Sequence, residues 1–268
     1  MKMDNRFLIL AAVVAGTLVA GGKTPYEALL SSNDVDAKYE MAWKLYNAGK
    51  FKKSAAMFES LSMLTSGTEK DDTVRYYWAL SNYKYSDFIT ADANFGSFIE
   101  MYPRSPFSSE ARFLKLDCMF RNTYRWELDQ KPTQMAIFSI SEYMMDYPDS
   151  DRIPICREML ADLRMRLDTK EFEGAKLYYN MEDYVAAKTA LKNILKDNSE
   201  NYHREEVLYY IAMSAYKYAS LSIPSKQKER YLEFIDEYFN FVEEIPESKF
   251  RKELDGLYAS VQKIIGKL

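Results

Sequence analysis

The sequence has very little of the residues on which most enzymes and metal proteins depend. It contains 1 His, and its 2 Cys, Cys118 and Cys156, lack the CxxC spacing that is typical of metal or redox sites. One histidine cannot build a His-based triad or a metal site, and no glycine-rich phosphate loop is present. His203 lies in a polar stretch, which favours an exposed linker position. We therefore expect no catalytic residues, no metal and no cofactor.

Glycine, proline and positive charge are also scarce. The chain has 9 Gly and 8 Pro against 22 Tyr, 15 Phe and 14 Met, which argues against many turns and favours a largely helical array. Its formal net charge is -4, so it offers no basic surface of the kind that neutralises phosphates. We expect no nucleic acid partner. The even cysteine number permits a disulfide, but we favour two separately buried free thiols.

The N-terminus resembles a targeting segment. Lys2 and Arg6 precede an apolar run, Phe7 to Ala20, that is short for a membrane span of about 20 residues. We predict a signal peptide over residues 1–22, of the lipoprotein kind but with Gly21 and Gly22 where the acylated cysteine is expected. Three interpretations stay open: a replaced anchor cysteine, which we favour, a plain secreted protein, and an uncleaved hydrophobic helix.

A helical hairpin recurs along the chain. In residues 73–103, apolar residues at helical spacing surround Ala79, a break follows, and a second apolar face stops at Pro103. The preceding segment matches it at a shift of 37 residues, from Phe51 to Phe88, which places Ala42 over Ala79. Small residues at these places and a closing proline are typical of the tetratricopeptide repeat.

The predicted fold is all-α: a right-handed superhelix of five tetratricopeptide-like helix hairpins with a C-terminal capping helix. A lead-in segment covers residues 23–36 and the repeat domain residues 37–268. The predicted hairpins cover about 37–66, 72–103, 106–148, 154–199 and 205–246, and the capping helix 250–268. Relative to the shorter hairpins, the third contains an insertion, Arg121 to Lys131, which is either a loop on a binding face or a helix extension.

A second stripe of mostly aromatic residues recurs at i, i+4 and i+7 in the first helix of the hairpins. Its members are Tyr39, Trp43 and Tyr46; Tyr76, Leu80 and Tyr83; Phe172, Lys176 and Tyr179; and Tyr209, Met213 and Tyr216. Each triplet shares one helix face, which we expect to line a concave groove that contacts proteins. The alternative is that these aromatics pack between repeats.

Several segments together resemble a known family, the BamD (ComL-like) lipoproteins of the outer-membrane β-barrel assembly machine. They are Pro25 to Glu27, Lys38 to Ala42, Tyr46 to Phe51, Phe98 to Pro103 with Ser105, and Tyr147 to Ser150. The resemblance covers essentially the whole mature chain. It departs from the family at Gly21 and Gly22, where the acylated cysteine is absent.

The resemblance implies a non-enzymatic scaffold on the periplasmic face of the outer membrane, held there by a lipid anchor where the cysteine is present. The N-terminal hairpins would bind unfolded outer-membrane proteins, and the C-terminal hairpins the POTRA domains of a BamA-like barrel protein. Other assembly-machine lipoproteins would be further partners. The implied substrate-peptide groove is Tyr39, Trp43, Tyr46, Tyr76, Leu80 and Tyr83. The implied partner-binding residues are Arg121, Arg125, Trp126, Phe172, Lys176, Tyr179, Tyr209 and Tyr216.

Two other functions are compatible with the sequence. One is a different cell-envelope tetratricopeptide adaptor, for example one that coordinates peptidoglycan synthesis. The other is an enzyme whose chemistry uses only carboxylates, such as a helical protein that cleaves glycans. Because the chain has 40 Asp and Glu, pairs of carboxylates are expected by chance and do not indicate catalysis. The periodic sequence also argues against the enzyme.

Overall fold

The computed structural model describes residues 24–267. The predicted signal peptide, with Gly21 and Gly22, lies outside the described residues. Within 24–267 the chain is helical and contains no strand. Its helices are α1 (Pro25–Leu30), α2 (Val35–Asn47), α3 (Phe51–Ser62), α4 (Asp71–Lys84), α5 (Phe88–Met101), α6 (Ser108–Arg121), α7 (Lys131–Asp146), α8 (Ile153–Asn180), α9 (Tyr184–Asp197), α10 (Arg204–Ser220), α11 (Pro224–Glu244) and α12 (Arg251–Ile265). The predicted all-α class is confirmed.

The chain divides into two compact units. The N-terminal unit ends at Cys118 and the C-terminal unit begins at Met119. In the N-terminal unit α2 packs against α3, α3 against α4 and α4 against α5. In the C-terminal unit the consecutive helices from α7 to α12 pack in the same way. Both units are therefore built from consecutive helix hairpins, as tetratricopeptide-like repeats are.

Three of the hairpin turns share one backbone conformation. Gly49, Ser86 and Glu182 occupy equivalent turn positions and have φ values of 70°, 69° and 64°. This left-handed conformation is easy for glycine and uncommon for other residues. The next residue caps the second helix in two turns: the carboxylates of Asp87 and Asp183 accept backbone N–H bonds at 3.1 and 3.0 Å. Lys50 stands there in the first hairpin and its side chain makes no capping bond.

The cores confirm the predicted packing register. Ala42, Ala79 and Ala91 are 0% exposed, as are Phe58 and Phe95 on the second helices. Alanine at these points lets the paired helices approach closely, so that the phenylalanine rings fill the space beside them. The fourth hairpin repeats this with buried Ala187, Leu191 and Ile194. Cys118 and Cys156 are each buried, and no disulfide joins them.

The insertion forms a loop between α6 and α7, so its interpretation as a helix extension is wrong. Buried Gln130 holds the loop, because its amide donates to the carbonyls of Arg125 and Leu128 at 2.8 and 3.0 Å. Lys170 donates to the same Leu128 carbonyl at 2.6 Å. Trp126 is half-buried in this loop. The loop is therefore a fixed structural element of the C-terminal unit.

The predicted exposed position of His203 was wrong: the ring is half-buried, stacks on Phe172, and its Nε2 lies 2.9 Å from the Thr169 hydroxyl.

Helix α12 buries Leu254 and Val261 in the last core cluster, as a capping helix would. Among residues 24–267, no helix combines the length and apolarity needed to cross a membrane.

Candidate functional site

The first member of each predicted stripe packs against the linker that leads into a following hairpin or the capping helix. Each of these four residues lies under a side chain that immediately precedes a later helix. The pairs, with their separations, are Tyr39 under the Lys70 ammonium (4.8 Å), and the stacked rings Tyr76 and Phe107 (4.5 Å), Phe172 and His203 (4.8 Å), and Tyr209 and Phe250 (4.1 Å). These residues therefore pack between successive repeats, which was the alternative to a role in a binding groove.

Burial removes two of them from any accessible surface. Tyr76 and Phe172 are each 3% exposed and lie inside core clusters. Tyr76 also contacts the rings of Phe95 and Phe98. We therefore take Tyr76 and Phe172 out of the predicted binding surfaces, because a ligand cannot reach them in the folded chain.

Four other aromatic residues of the N-terminal unit form a continuous half-buried surface. Trp43 and Tyr77 have ring centroids 4.3 Å apart, and Tyr77 lies 5.2 Å from Tyr46. Trp43 also contacts Tyr39 at 6.1 Å and, edge-on, the buried Phe58 at 5.8 Å. We call Tyr39, Trp43, Tyr46 and Tyr77 the aromatic surface. One side of it rests on the core and the other faces solvent.

The remaining predicted groove residues pack elsewhere in the same unit. Tyr83 donates its hydroxyl to the buried Asp117 carboxylate at 2.6 Å and contacts Phe88 edge-on. Leu80 is half-buried against the core cluster that contains Phe95. Of the six predicted groove residues, the aromatic surface therefore keeps the three that belong to α2.

Two tyrosines of the aromatic surface, Tyr46 and Tyr77, have a raised pKa. Burial raises the pKa of Tyr46, and Tyr77 and Glu110 raise it further. Burial likewise raises the pKa of Tyr77, again with the help of Glu110. Protonated hydroxyls can donate hydrogen bonds. The surface can thus offer apolar ring area and donors at the same place, which suits contact with a peptide.

The C-terminal unit has a related cluster around α8 and α10. Tyr210 lies 5.0 Å from Tyr179, and the Lys176 ammonium stands over the rings of Phe172 and Tyr210 at 5.3 and 5.7 Å. Lys176 also pairs with Glu173 at 3.0 Å. Tyr179, Lys176 and Tyr210 are half-buried, so the cluster keeps an accessible face.

The other predicted partner-binding residues are spread over the C-terminal unit. Tyr209 stacks on Phe250 and donates to Glu253 at 3.1 Å, and Tyr216 packs on Phe234 at 5.4 Å. Arg121 ends α6, and Arg125 and Trp126 belong to the loop after it. The arginines are exposed, whereas Trp126 is half-buried.

Sequence reasoning missed Tyr77 and Tyr210, which hold equivalent positions. Each follows the first member of a stripe, in the doublets Tyr76-Tyr77 and Tyr209-Tyr210, and each reaches back onto the stripe of the preceding hairpin. The two Tyr-Tyr doublets at one repeat position were the signal that could have found them.

We expect the tyrosines whose pKa is raised most to make the protein sensitive to alkaline pH. Burial raises the pKa of Tyr76 and Tyr209 beyond the usual range and that of Tyr179 to about 12. The folded chain holds these protons more tightly than the unfolded chain does. The contribution of the protonated tyrosines to the free energy of unfolding is therefore complete below the unfolded pKa of about 10 and is lost as pH rises above it. Urea midpoints should fall between about pH 9 and about pH 11. Titration of all 22 tyrosines near the usual pKa, with the helical signal intact, would contradict this.

Comparison with known proteins places the chain in a family. The family model YfiO, described as an outer membrane lipoprotein, matches residues 32–232. The outer membrane protein assembly factor BamD of Caulobacter vibrioides is 21% identical over 221 residues, which are 81% of this chain and 72% of that protein.

Two solved tetratricopeptide structures are also similar. The TPR2AB-domain:pHSP90 complex of yeast Sti1 matches with a TM-score of 0.40 and 16% identity, and covers 85% of this chain and 98% of its own. A thermophilic TPR protein of Thermus thermophilus matches with a TM-score of 0.32, the same identity and the same coverage. From the family match over most of its length, the chain belongs to the YfiO family of outer membrane lipoproteins.

Proposed function

We propose that this protein is a non-enzymatic scaffold that assists β-barrel assembly at the periplasmic face of the outer membrane. The family match and the similarity to an assembly factor support this role. Its partners would be unfolded outer-membrane proteins, the POTRA domains of a BamA-like barrel protein, and other assembly-machine lipoproteins. A helical array suits a scaffold, because stacked hairpins offer long surfaces to several partners at once.

The aromatic surface is the proposed binding site for the substrate. The observation that carries this is the contact of Trp43 with Tyr77, which links two hairpins into one half-buried aromatic surface. Tryptophan and tyrosine dominate binding energy at protein interfaces because they bury large areas and retain a polar group. An extended peptide with an aromatic end can place its ring on Trp43. Its backbone carbonyls can accept bonds from the hydroxyls of Tyr46 and Tyr77.

The C-terminal unit is the proposed docking site for the POTRA domains. Its loop places the exposed Arg125 beside Trp126, and Gln130 fixes the loop backbone from within. A preformed loop loses little conformational freedom on binding, which favours affinity. Lys176, Tyr179 and Tyr216 would extend this site along α8 and α10.

We expect the double variant Trp43→Ala with Tyr77→Ala to weaken binding of an aromatic-ended β-strand peptide by at least about 2 kcal/mol, or about 30-fold. The variant loses the contacts of two adjacent large rings. Because the rings touch, the losses in binding free energy from the two single substitutions need not add. Calorimetric titration of the peptide measures the change, and circular dichroism checks the fold.

A matched control makes the same chemical change in the loop of the C-terminal unit. Trp126→Ala with Tyr124→Ala also removes one indole and one phenol, but we expect it to keep the peptide and to lose the POTRA domains in a pull-down. If the two variants exchanged these phenotypes, the two sites would be assigned the wrong way round. Recovery of cell-wall enzymes in place of a barrel protein would favour the adaptor for peptidoglycan synthesis.

A further inference from the structure

Three lysines at the turn of the first hairpin lie beside a fourth, Lys84, at the end of α4. Gly49 to Lys53 and the end of α4, Lys84 and Tyr85, line one shallow depression of about 500 Å³. We call its four lysines, Lys50, Lys52, Lys53 and Lys84, the lysine turn. All four are exposed, as is Tyr85 at 44%. The surface therefore combines four positive charges with an accessible aromatic ring.

The charge of the lysine turn is not neutralised by the described part of the chain. Across residues 24–267, no salt bridge joins these lysines to a carboxylate. The ammonium groups of Lys52 and Lys53 lie instead over the rings of Tyr85 and Tyr26, at 5.4 and 5.2 Å. Residues 41–58 contain four lysines and no acidic residue, although the whole chain carries a net charge of -4. The lysine turn is therefore positively charged, although the net charge of the whole protein is negative.

The residue that follows the left-handed position differs in charge between the hairpins. Where the first hairpin has Lys50, the second and fourth have Asp87 and Asp183. A lysine at this position is thus a property of the first hairpin and not of the repeat.

The start of the described chain lies directly beside the lysine turn. The Tyr26 hydroxyl of α1 donates to the Lys53 carbonyl at 3.1 Å, and the Lys53 side chain covers the Tyr26 ring. The predicted signal segment ends at residue 22, two positions before Thr24, where the described chain begins. A lipid carried at that end of the chain would hold the lysine turn close to the membrane.

We propose that the lysine turn binds the phosphate headgroups of an anionic phospholipid surface, and so sets which face of the N-terminal unit lies on the membrane. The inference rests on the proposed outer-membrane location but is independent of the peptide site. A polybasic patch supplies a membrane attachment in addition to a lipid anchor. Each lysine near an anionic surface raises partitioning roughly fivefold. Tyr85 suits the interface, where tyrosine rings are enriched.

Vesicle sedimentation of the full chain tests the proposal. Vesicles of phosphatidylcholine alone are compared with vesicles that also contain phosphatidylglycerol, at low and at high salt. Replacing all four residues of the lysine turn by Gln should lower partitioning onto the anionic vesicles at least about 25-fold, the effect of two lysines. Partitioning onto the neutral vesicles should stay unchanged. A control variant with the same net charge replaces four exposed lysines of the C-terminal unit by Gln: Lys196, Lys228, Lys252 and Lys263.

The control should keep anionic binding within about threefold, because its lysines lie outside the proposed contact. Equal losses in both variants would show that only net charge matters, and no loss in the first would overturn the proposal. Loss of an acidic protein partner with vesicle binding intact would assign the lysine turn to that protein. A chain that binds the strand peptide but not anionic vesicles would refute this inference alone, and the converse would refute only the peptide site.

A single substitution separates a binding defect from a folding defect. Lys50→Asp gives α3 the capping residue that α5 and α9 already have. The melting temperature of this variant protein should therefore rise. Its binding to anionic vesicles should nevertheless fall, because one positive charge becomes negative. A variant that is more stable and binds anionic vesicles as well as the unmodified protein would contradict the proposal.

Discussion

Phe95→Ala should lower the free energy of unfolding of the N-terminal unit by about 3–5 kcal/mol. Phe95 is 0% exposed and sits among Tyr76, Ala79 and Phe98, so its removal leaves a cavity that those side chains cannot close. A loss of this size is a large part of the stability of a typical domain. Hairpins support one another mainly through their neighbours, so the effect should reach the adjacent hairpin as well.

Urea unfolding followed by tryptophan fluorescence measures the Phe95 effect. Trp43 and Trp78 report on the N-terminal unit, whereas Trp126 lies in the other unit. The matched control is Phe138→Ala on α7, where the ring is 64% exposed, and we expect a change within about 0.5 kcal/mol. A Phe95 variant as stable as this control would mean that the predicted repeat register does not describe the core.

The sequence was sufficient to predict the hairpin cores because their signals are local. Ala79 and Phe95 are recognisable from helical spacing and from the shift that aligns them with Ala42 and Phe58. The break before Asp183 was visible in the same way, although the left-handed φ of Glu182 was not, since a glutamate gives no sign of that conformation. Local spacing decides which residues face the partner helix of a hairpin.

The accessible surface was harder to predict because burial depends on residues distant in the sequence. Tyr39 and Tyr76 have the same repeat position, and each is covered by the residue 31 positions later. For Tyr39 that residue is Lys70, whose flexible chain leaves the ring half-buried, whereas for Tyr76 it is Phe107, whose ring seals it. A linker side chain therefore decides whether a stripe residue belongs to the surface or to the core, and helical periodicity carries no information about it.

Asp71 shows how strongly the structure depends on these linkers. Its buried carboxylate accepts bonds from the Tyr102 hydroxyl at 2.6 Å, the Gly67 N–H at 3.0 Å and the Arg75 Nε at 2.8 Å. One side chain thus joins the start of α4 to the linker before it and to the end of α5. Burial acts to raise the pKa of Asp71, but the bonds from Tyr102, Gly67 and Arg75 outweigh it and the pKa is lowered.

We expect Asp71→Asn to cost about 2–4 kcal/mol of unfolding free energy, because it removes the charge from three donors and turns one acceptor into a competing donor. This loss is at the lower end of the range for a buried ion pair, because the Arg75 side chain keeps 21% exposure and solvent screens part of its charge. The control, Asp36→Asn, breaks the pair with Lys70, in which the carboxylate is 87% exposed. Screening should leave that change within about 0.5 kcal/mol.

The pH dependence of the Asp71 effect provides an independent check. Because the folded pKa of Asp71 is lowered, its stabilisation is complete above the unfolded value of about 4 and is lost as pH falls through the lower folded value. The difference in stability between the unmodified protein and the Asn variant should therefore be constant near neutral pH and shrink in acid. Urea midpoints measured from about pH 7 down to about pH 3 give this curve. A difference that stayed constant throughout would show that Asp71 acts through shape and hydrogen-bond geometry, and that its charge contributes nothing.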